Sequence, residues 1–176
     1  RDVLFSFHPT AEQVLHRMVS ILALAHYRSS PNDIEIMADA PAHRIFVLLP
    51  PVSEGKEIPD ILAIVHLAFE GGINTSAQGS KEGDLIPWTL AQQFCESAFP
   101  KLSGVRIVRI VTHPEARTMG YGTHVLRLLI DYFQRSVSSQ KDSIPTDTHE
   151  STSLFVPVSQ LKLHKGPTWI GASFGG

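Results

Sequence analysis

The most constraining segment of the sequence runs from residue 105 to residue 133. Residues 105–111 are apolar apart from two arginines, as expected for a central strand that is covered on both faces. The His113-Pro114 step ends this strand, and a loop leads to Gly120. The following apolar residues recur with the period of a helix: Val125, Leu128, Leu129, Tyr132 and Phe133. The segment therefore predicts a buried strand, a glycine loop and an amphipathic helix in succession.

The glycine loop has the features of an anion site. Gly120 and Gly122 allow a tight turn and remove side chains that would block a ligand. The first amides of the next helix have no partner inside the helix, and the positive end of its dipole favours phosphate. No Gly-Lys-Ser/Thr follows as in a nucleotide P-loop, and Val125 stands where the dinucleotide fingerprint has its third glycine. Two such glycines are most often a simple turn, so the loop alone leaves its ligand open.

The charge of the chain is unevenly distributed. Residues 1–100 carry six Lys/Arg against twelve Asp/Glu, whereas residues 101–141 carry seven against two. A basic block around the glycine loop indicates an anionic ligand, although charge alone favours an ordinary solvated helix face. The sequence has no long Lys/Arg run and no interleaved aromatic and basic residues, so it shows no nucleic-acid-binding surface.

The rest of the chain predicts an α/β domain with a mixed sheet. Thr10 and Gln13 fit a capping box at the start of the first helix. Helices are predicted at residues 11–28, 31–38 and 87–94, in addition to the one after Gly120. Strands are predicted at residues 4–7, 44–49, 61–69, 105–111 and 169–174, with 44–49 and 61–69 as antiparallel neighbours. Residues 136–152 are rich in Ser, Thr, Gln and Asp and predict a flexible insertion.

Composition limits the classes of protein. The 176 residues are 43% hydrophobic and 18% charged, which fits one domain, residues 1–176, with one core. Cys95 is the single cysteine and cannot form an internal disulfide, which favours an intracellular location. No apolar run approaches the roughly 20 residues of a membrane helix. Because the chain has no signal-peptide pattern and no initial Met, we expect it to be a piece of a longer protein.

Several longer stretches are more specific than the glycine loop. They are Ser30-Pro-Asn-Asp33, Asp39-Ala-Pro-Ala-His43, Leu48-Leu-Pro-Pro51, Gly83-Asp-Leu-Ile-Pro-Trp88, Arg106-Ile-Val-Arg-Ile-Val-Thr-His-Pro114 and Met119-Gly-Tyr-Gly122. With the spacing of Arg117, Gly120 and Gly122, they resemble the RNA cytidine acetyltransferases of the GNAT superfamily, especially the large eukaryotic nucleolar members. The resemblance covers most of residues 4–135 and resumes more loosely at 155–175, whereas residues 136–152 match nothing in that family.

The resemblance implies a GNAT-type α/β fold with a mixed, mainly antiparallel central sheet flanked by helices. Such a fold normally continues with a further helix and strand, so we expect this domain to be truncated at its C-terminus and to self-associate through an uncovered sheet edge. The implied cofactor is acetyl-CoA. Its expected contacts are Ile110, Val111, Thr112, Arg117, Thr118, Met119, Gly120, Tyr121, Gly122 and Thr123.

The implied activity is transfer of an acetyl group to the N4 amine of cytidine in 18S rRNA and tRNA. The implied role is in ribosome biogenesis, and the implied location is the nucleus, in the nucleolus. ATP is expected only for a helicase-like module that lies outside this chain. RNA is the expected partner of the whole protein and is held weakly by this acidic piece; no membrane partner is expected. Two alternatives stay open: acetylation of a protein lysine or a small amine, and a non-catalytic acetyl-CoA-binding module. Whether the isolated piece is active also stays open.

His113 is the candidate catalytic residue. The cytidine amine is unprotonated at neutral pH and must lose a proton only as the new bond forms, and histidine is suited to accept it. An alternative is that the ring of His113 only braces the loop. The other histidines lack metal-ligand spacing, so no metal is expected. Trp88 and Tyr121 are candidates for stacking on a base, although a packing role is the stronger expectation for Trp88.

Overall fold

The computed structural model describes residues 4–25, 31–51, 60–73, 83–138, 155–161 and 166–173. The helices are α1 (Pro9–Ala25), α2 (Pro31–Asp39), α3 (Leu85–Gln93) and α4 (Tyr121–Ser138). The strands are β1 (His43–Leu48), β2 (Ala63–Gly71), β3 (Ser103–Thr112) and β4 (Trp169–Ala172). Short 3-10 turns lie at Phe99–Lys101, Pro114–Ala116 and Val158–Gln160.

The strands form one mixed sheet in the order β1-β2-β3-β4. The pairs β1–β2 and β2–β3 are antiparallel, and β3–β4 is parallel. This confirms the predicted mixed, mainly antiparallel sheet, including the antiparallel pairing of the two strands before residue 70. The order also gives β3 a neighbour on each side, as predicted for a central strand.

The predicted strand at Leu4 to Phe7 is wrong, because these residues form a turn. Phe7 has a φ of 58° and is 87% exposed, so the chain bends away from an extended path just before α1. Leu4 and Phe5 instead pack against the core between the sheet and the first two helices. Burial of these two side chains decides the local conformation here, and β propensity does not.

The capping box at Thr10 is also wrong, since α1 begins one residue earlier, at Pro9. The imidazole Nδ1 of His8 accepts the amide of Thr10 at 3.4 Å, and the His8 carbonyl accepts the amide of Glu12 at 2.9 Å. Proline is favoured at the first helical position because its missing N–H would have no helical partner there. His8 therefore takes the role that the sequence had assigned to Thr10.

Each face of the sheet is covered by a separate apolar cluster. On one face Val14, Met18, Ile21 and Leu22 of α1 and Met37 of α2 pack on Ile64 and Val111. On the other face α4 packs on Ala63, Val65 and Leu67 of β2 and on Val105 of β3. The central strands are therefore buried on both sides, and α4 is fixed against the strand that precedes it.

The amphipathic pattern of α4 is correct for four of its five predicted core residues. Val125, Leu129, Tyr132 and Phe133 are buried, whereas Leu128 is 44% exposed. At 100° per residue, Leu128 lies about 40° beyond Tyr132, just outside the edge of the buried stripe. The face of α4 that reaches the sheet is therefore narrower than the sequence suggested.

Part of the predicted insertion is helical, since α4 continues to Ser138; residues 139–152 lie outside the described residues. In the part of the chain that the structure describes, β4 is the last strand of the sheet on its side, and self-association through it stays a prediction. None of the helices in these ranges is long and apolar enough to cross a membrane.

Candidate active site

Strands β3 and β4 separate from each other half-way along β3. Parallel pairing joins Gly104 to Trp169 and ends where Ile107 meets Ala172. Antiparallel pairing with β2 continues past this point to Thr112. Within the described residues, β3 from Val108 to Thr112 thus has a partner strand on one edge only. The other edge offers backbone hydrogen-bonding groups to a ligand.

A register shift on β2 between His66 and Leu67 accompanies the separation. Arg109 pairs with His66 and Ile107 pairs with Leu67, so Val108 is the extra residue of a bulge. A bulge bends a strand and increases its twist. The bend lies next to the last pair that β3 makes with β4, which gives the gap between the strands a physical cause.

The three residues of β3 that were predicted to contact the coenzyme, Ile110, Val111 and Thr112, do not all direct their backbone amides to the same edge of the strand. The amide of His113 donates to the Leu62 carbonyl, on the β2 side, at 2.8 Å. Because successive amides of a strand point to opposite edges, Thr112 and Ile110 direct theirs to the open edge and Val111 directs its own toward β2. The Val111 side chain is buried in the core. The open edge therefore presents Ile110 and Thr112 to the gap.

The glycine loop ends at the first turn of α4. Gly120 has a φ of 85°, a left-handed conformation that favours glycine. Its carbonyl accepts the amide of His124 at 3.0 Å, the first hydrogen bond of the helix. The amides of Tyr121, Gly122 and Thr123 precede that bond and have no partner within α4. They form the positive end of an 18-residue helix.

The space around the two glycines is open. A Cβ added at Gly120 would meet no heavy atom within 4 Å, and one at Gly122 would meet only the Thr112 methyl group, at 3.5 Å. Since Thr112 ends the open edge of β3, the free amides at the start of α4 lie beside that edge at Gly122. A side chain at position 122 would occupy the space through which a ligand could reach both the open edge of β3 and the free amides of α4.

The remaining loop residues are exposed and held by local bonds. Arg117 donates from Nη2 to the Leu24 carbonyl at 3.3 Å, which ties the loop to the last turn of α1. Thr118 has a φ of 63°, and its hydroxyl donates to the Arg117 carbonyl at 2.6 Å. Met119 is 66% exposed. The guanidinium of Arg117 thus lies beside the loop and positions the loop against α1.

His113 braces the turn after β3. Its Nδ1 accepts the amide of Glu115 at 3.3 Å, at the start of the 3-10 turn Pro114–Ala116. A neutral imidazole that accepts at Nδ1 carries its proton on Nε2 and has no second lone pair to offer. This geometry favours the bracing role, and the assignment of His113 as a general base stays a prediction.

Comparison with known proteins assigns the chain to a family. The model of the family described as GNAT acetyltransferase 2 matches residues 17–165. The chain belongs to the GNAT acetyltransferase 2 family. It is therefore an acetyltransferase domain, and the predicted GNAT-type fold is confirmed.

Curated relatives carry a narrower name. Proteins called RNA cytidine acetyltransferase are 45% identical in Saccharomyces cerevisiae over 82% of this chain and 47% identical in Drosophila melanogaster over 81%. A mouse protein of the same name is 37% identical over 99% of the chain. These matches cover only 14%, 15% and 20% of the relatives. The resemblance drawn from the sequence is thus confirmed, and this acetyltransferase domain spans about a seventh to a fifth of the proteins it matches.

Among solved structures, a GNAT family acetyltransferase of Staphylococcus aureus aligns with 97% of this chain and 84% of its own. The identity is 13% and the TM-score is 0.48.

The acetyltransferase domain also contains a buried polar cluster that the sequence reading missed. Glu70 of β2, whose side chain is fully buried, accepts from Nε of Arg106 on β3 and, at 3.0 Å, from the amide of Ile86 in α3. Beside this ion pair, Nδ1 of His43 on β1 lies 2.7 Å from Nε2 of His66 on β2. We call His43, His66, Glu70 and Arg106 the polar cluster.

The sequence signal of the polar cluster was the alternation Ile64, His66, Ala68, Glu70, which places two ionisable residues on one face of an apolar strand.

The polar cluster disfavours the charged form of His43. Burial lowers the pKa of His43 below its ordinary value, and the positive charge of Arg106 lowers it further, while Glu70 acts in the opposite direction. His43 is a half-buried residue whereas His66 is 4% exposed. The histidine nearer the surface is therefore held by a buried partner.

Among the described residues of the domain, no three His, Cys, Asp or Glu side chains are grouped as a metal ion would need. Trp88 lies half-buried in α3 and Tyr121 half-buried at the start of α4. Stacking of either ring on a base stays a prediction.

Proposed function

We propose that this domain binds acetyl-CoA and transfers its acetyl group to the N4 amine of cytidine in RNA. The observation that carries the proposal is that the free amides of α4 lie beside the open edge of β3 at Gly122. A coenzyme with a diphosphate and an amide-containing arm needs these two elements side by side.

The residues present fit the coenzyme. The open space at Gly120 admits a phosphate to the amides of Tyr121, Gly122 and Thr123, where the helix dipole favours negative charge. Ile110 and Thr112 direct backbone groups into the gap, where they can bind a polar arm and donate to an oxygen on which charge develops. Bound there, acetyl-CoA supplies an activated thioester. The domain contributes binding, orientation and preorganised donors.

RNA as the acceptor is supported by the relatives called RNA cytidine acetyltransferase. Because the chain spans a small part of their length, the targets in 18S rRNA and tRNA, the role in ribosome biogenesis and the nucleolar location are all part of the proposal. So are a requirement for ATP and strong RNA binding, both of which would depend on parts of the protein outside this chain. Acetylation of a protein lysine is the alternative.

Titration calorimetry with acetyl-CoA tests the coenzyme site. Gly122→Glu places a carboxylate among the amides that would hold the diphosphate, and we expect it to weaken binding more than tenfold by repulsion. Gly122→Gln has nearly the same size without the charge and should lose less. Leu128→Glu, on the exposed side of α4, is the matched control and should bind as the unaltered chain does. Equal affinity of the Gly122→Glu variant and the unaltered chain would refute this site.

Acceptor choice is tested with labelled acetyl-CoA and ATP in the longest protein that carries this chain, with RNA and histones supplied in parallel. We expect label in RNA, in the form of N4-acetylcytidine after nuclease digestion and chromatography. Label in histones without label in RNA would replace the RNA proposal with the protein-lysine alternative. Coenzyme binding without transfer to either acceptor would favour a non-catalytic module.

A further inference from the structure

The side chain of Arg117 connects two parts of the domain that are far apart in the sequence. Its Nη2 donates to the backbone carbonyl of Leu24, 93 residues away, at 3.3 Å. Leu24 lies in the last turn of α1, where the carbonyls have no partner inside the helix. This turn contains no basic residue of its own. Arg117 therefore supplies a cation to the negative end of α1.

The chain just before Arg117 also lies against α1. The 3-10 turn Pro114–Ala116 contacts this helix, and Ala116 is buried. The backbone amide of Arg117 closes the turn by donating to the Pro114 carbonyl at 3.4 Å. The start of the glycine loop is thus attached to α1 by the packing of the turn and by the side chain of Arg117.

The same helix contacts the open edge of β3. The apolar side of α1 packs in the cluster that contains Val111 of β3. Val111 stands between Ile110 and Thr112, which direct their backbone amides to the gap. Helix α1 therefore contacts the open edge through Val111 and the glycine loop through Arg117. It connects the two groups that would hold the coenzyme.

We propose that Arg117 is a positioning residue that fixes the glycine loop against α1 and thereby sets the separation between the free amides of α4 and the open edge of β3. The inference rests on the proposed binding of acetyl-CoA to these two groups. A coenzyme that is held at both ends reacts efficiently only when the two elements that hold it keep a fixed separation. Arg117 acts here through α1, without a bond to the coenzyme.

The connection gives coenzyme binding a measurable effect on α1. Arg117 is exposed, and the rotational freedom of its long side chain opposes the bond to Leu24. A ligand on the amides of Tyr121, Gly122 and Thr123 orders the loop that begins at Arg117, so less freedom remains to be lost when the bond forms. Bound acetyl-CoA should therefore strengthen the bond and slow the exchange of amide hydrogens in the last turn of α1.

The test measures amide hydrogen exchange and acetyl-CoA affinity in the longest protein that carries this chain. In the unaltered protein, saturating acetyl-CoA should slow exchange at residues 22–25 about twofold to fivefold, the value of one cation at a helix C-terminus. Arg117→Met keeps the length of the side chain without its donors and should abolish this effect. Because the coupling of two sites is reciprocal, its affinity for acetyl-CoA should fall by about the same factor. With RNA as the acceptor, kcat should fall by more than the KM for acetyl-CoA rises.

Further variants separate this role from a structural role and from direct binding of the diphosphate. Arg117→Lys keeps a cationic donor and should recover most of the slowing. Leu24→Ala changes a side chain that is 66% exposed but keeps the carbonyl, and it should behave as the unaltered protein does. Arg135→Met removes an exposed arginine in the last turn of α4 and should change neither exchange nor affinity.

Three results would overturn the proposal. The first is faster or unchanged exchange in α1 when acetyl-CoA binds to the unaltered protein, and the second is equal slowing in Arg117→Met. The third is a loss of acetyl-CoA affinity in Arg117→Met of more than about tenfold, which would make Arg117 a direct charged ligand of the diphosphate. No binding of acetyl-CoA to the unaltered protein would instead refute the proposed function.

Discussion

The indole ring of Trp169 lies directly on Gly104. The two residues are paired across β3 and β4, and a Cβ on Gly104 would overlap the six-membered ring. Trp169 is also held by Phe99, with ring centroids 5.4 Å apart, and its Nε1 donates to the Leu102 carbonyl at 3.4 Å. This contact fixes the first β3–β4 pair, at the end of β4 opposite to Ala172, where the gap between the strands opens.

Gly104→Ala is expected to destabilise the domain. The methyl group would force Trp169 out of its position, and overpacking of this kind costs about 1–3 kcal/mol. Urea unfolding followed by circular dichroism measures the loss. Gly83→Ala is the matched control, because a Cβ there meets nothing within 4 Å, and its free energy of unfolding should change by less than about 0.5 kcal/mol. Equal unfolding midpoints for the two variants would contradict the overlap.

Gly120→Ala is expected to destabilise the loop for a different reason. The added methyl group has free space, but a φ of 85° is unfavourable for any residue with a Cβ, and the cost is about 1–2 kcal/mol. Thr118→Gly provides a contrast, since Thr118 already has a φ of 63° and glycine would relieve that strain. Urea unfolding should show a loss for the first variant and none for the second. A loss in both would mean that side-chain contacts, rather than backbone conformation, decide the stability of the loop.

Glu70→Gln is expected to be among the most damaging single changes in the sheet. It leaves the guanidinium of Arg106, whose side chain is 15% exposed, without its carboxylate. Removal of one partner of a buried ion pair costs about 3–5 kcal/mol. Asp60→Asn breaks the pair between Arg17 and Asp60, whose side chains are 47% and 63% exposed, and should cost at most about 1 kcal/mol. Comparable losses in thermal unfolding would show that the Glu70–Arg106 pair is not effectively buried.

The stability of the domain is expected to depend on His43 below neutral pH. Its pKa in the folded state is lower than the ordinary value of 6.5, so the unfolded chain binds the proton more readily. This difference does not affect the free energy of unfolding above pH 6.5. It lowers the free energy of unfolding progressively as the pH falls from 6.5 toward the folded-state pKa. Urea unfolding at pH 7.5 and pH 5.5 should therefore show a smaller decrease for His43→Gln than for the unaltered chain. His16→Gln, at an exposed position, should behave as the unaltered chain does; an equal decrease in His43→Gln would contradict the direction of the pKa shift.

Local signals in the sequence determined the unit that carries the coenzyme proposal. These signals are patterns among near neighbours in the chain: the apolar run of β3, the His113-Pro114 step, the two glycines and the helical period of α4. Each of them was placed correctly. The ends of elements were less certain, because His8 and Pro9 compete with Thr10 to begin α1. The short segment at Leu4 was misjudged because three apolar residues among four suit a strand or a packed turn equally well.

The sequence by itself thus determined the family, the mixed sheet and the position of the glycine loop. Only the tertiary structure decided which backbone groups of β3 face the gap, since that depends on where β4 stops pairing and on the bulge at Val108. It also assembled the polar cluster from three strands, because His43, Glu70 and Arg106 are brought together by register and burial across long stretches of chain. The alternation along β2 places His66 and Glu70 on one face, but their partners His43 and Arg106 lie far away in the chain, which is the physical reason that the cluster could not be predicted from the sequence.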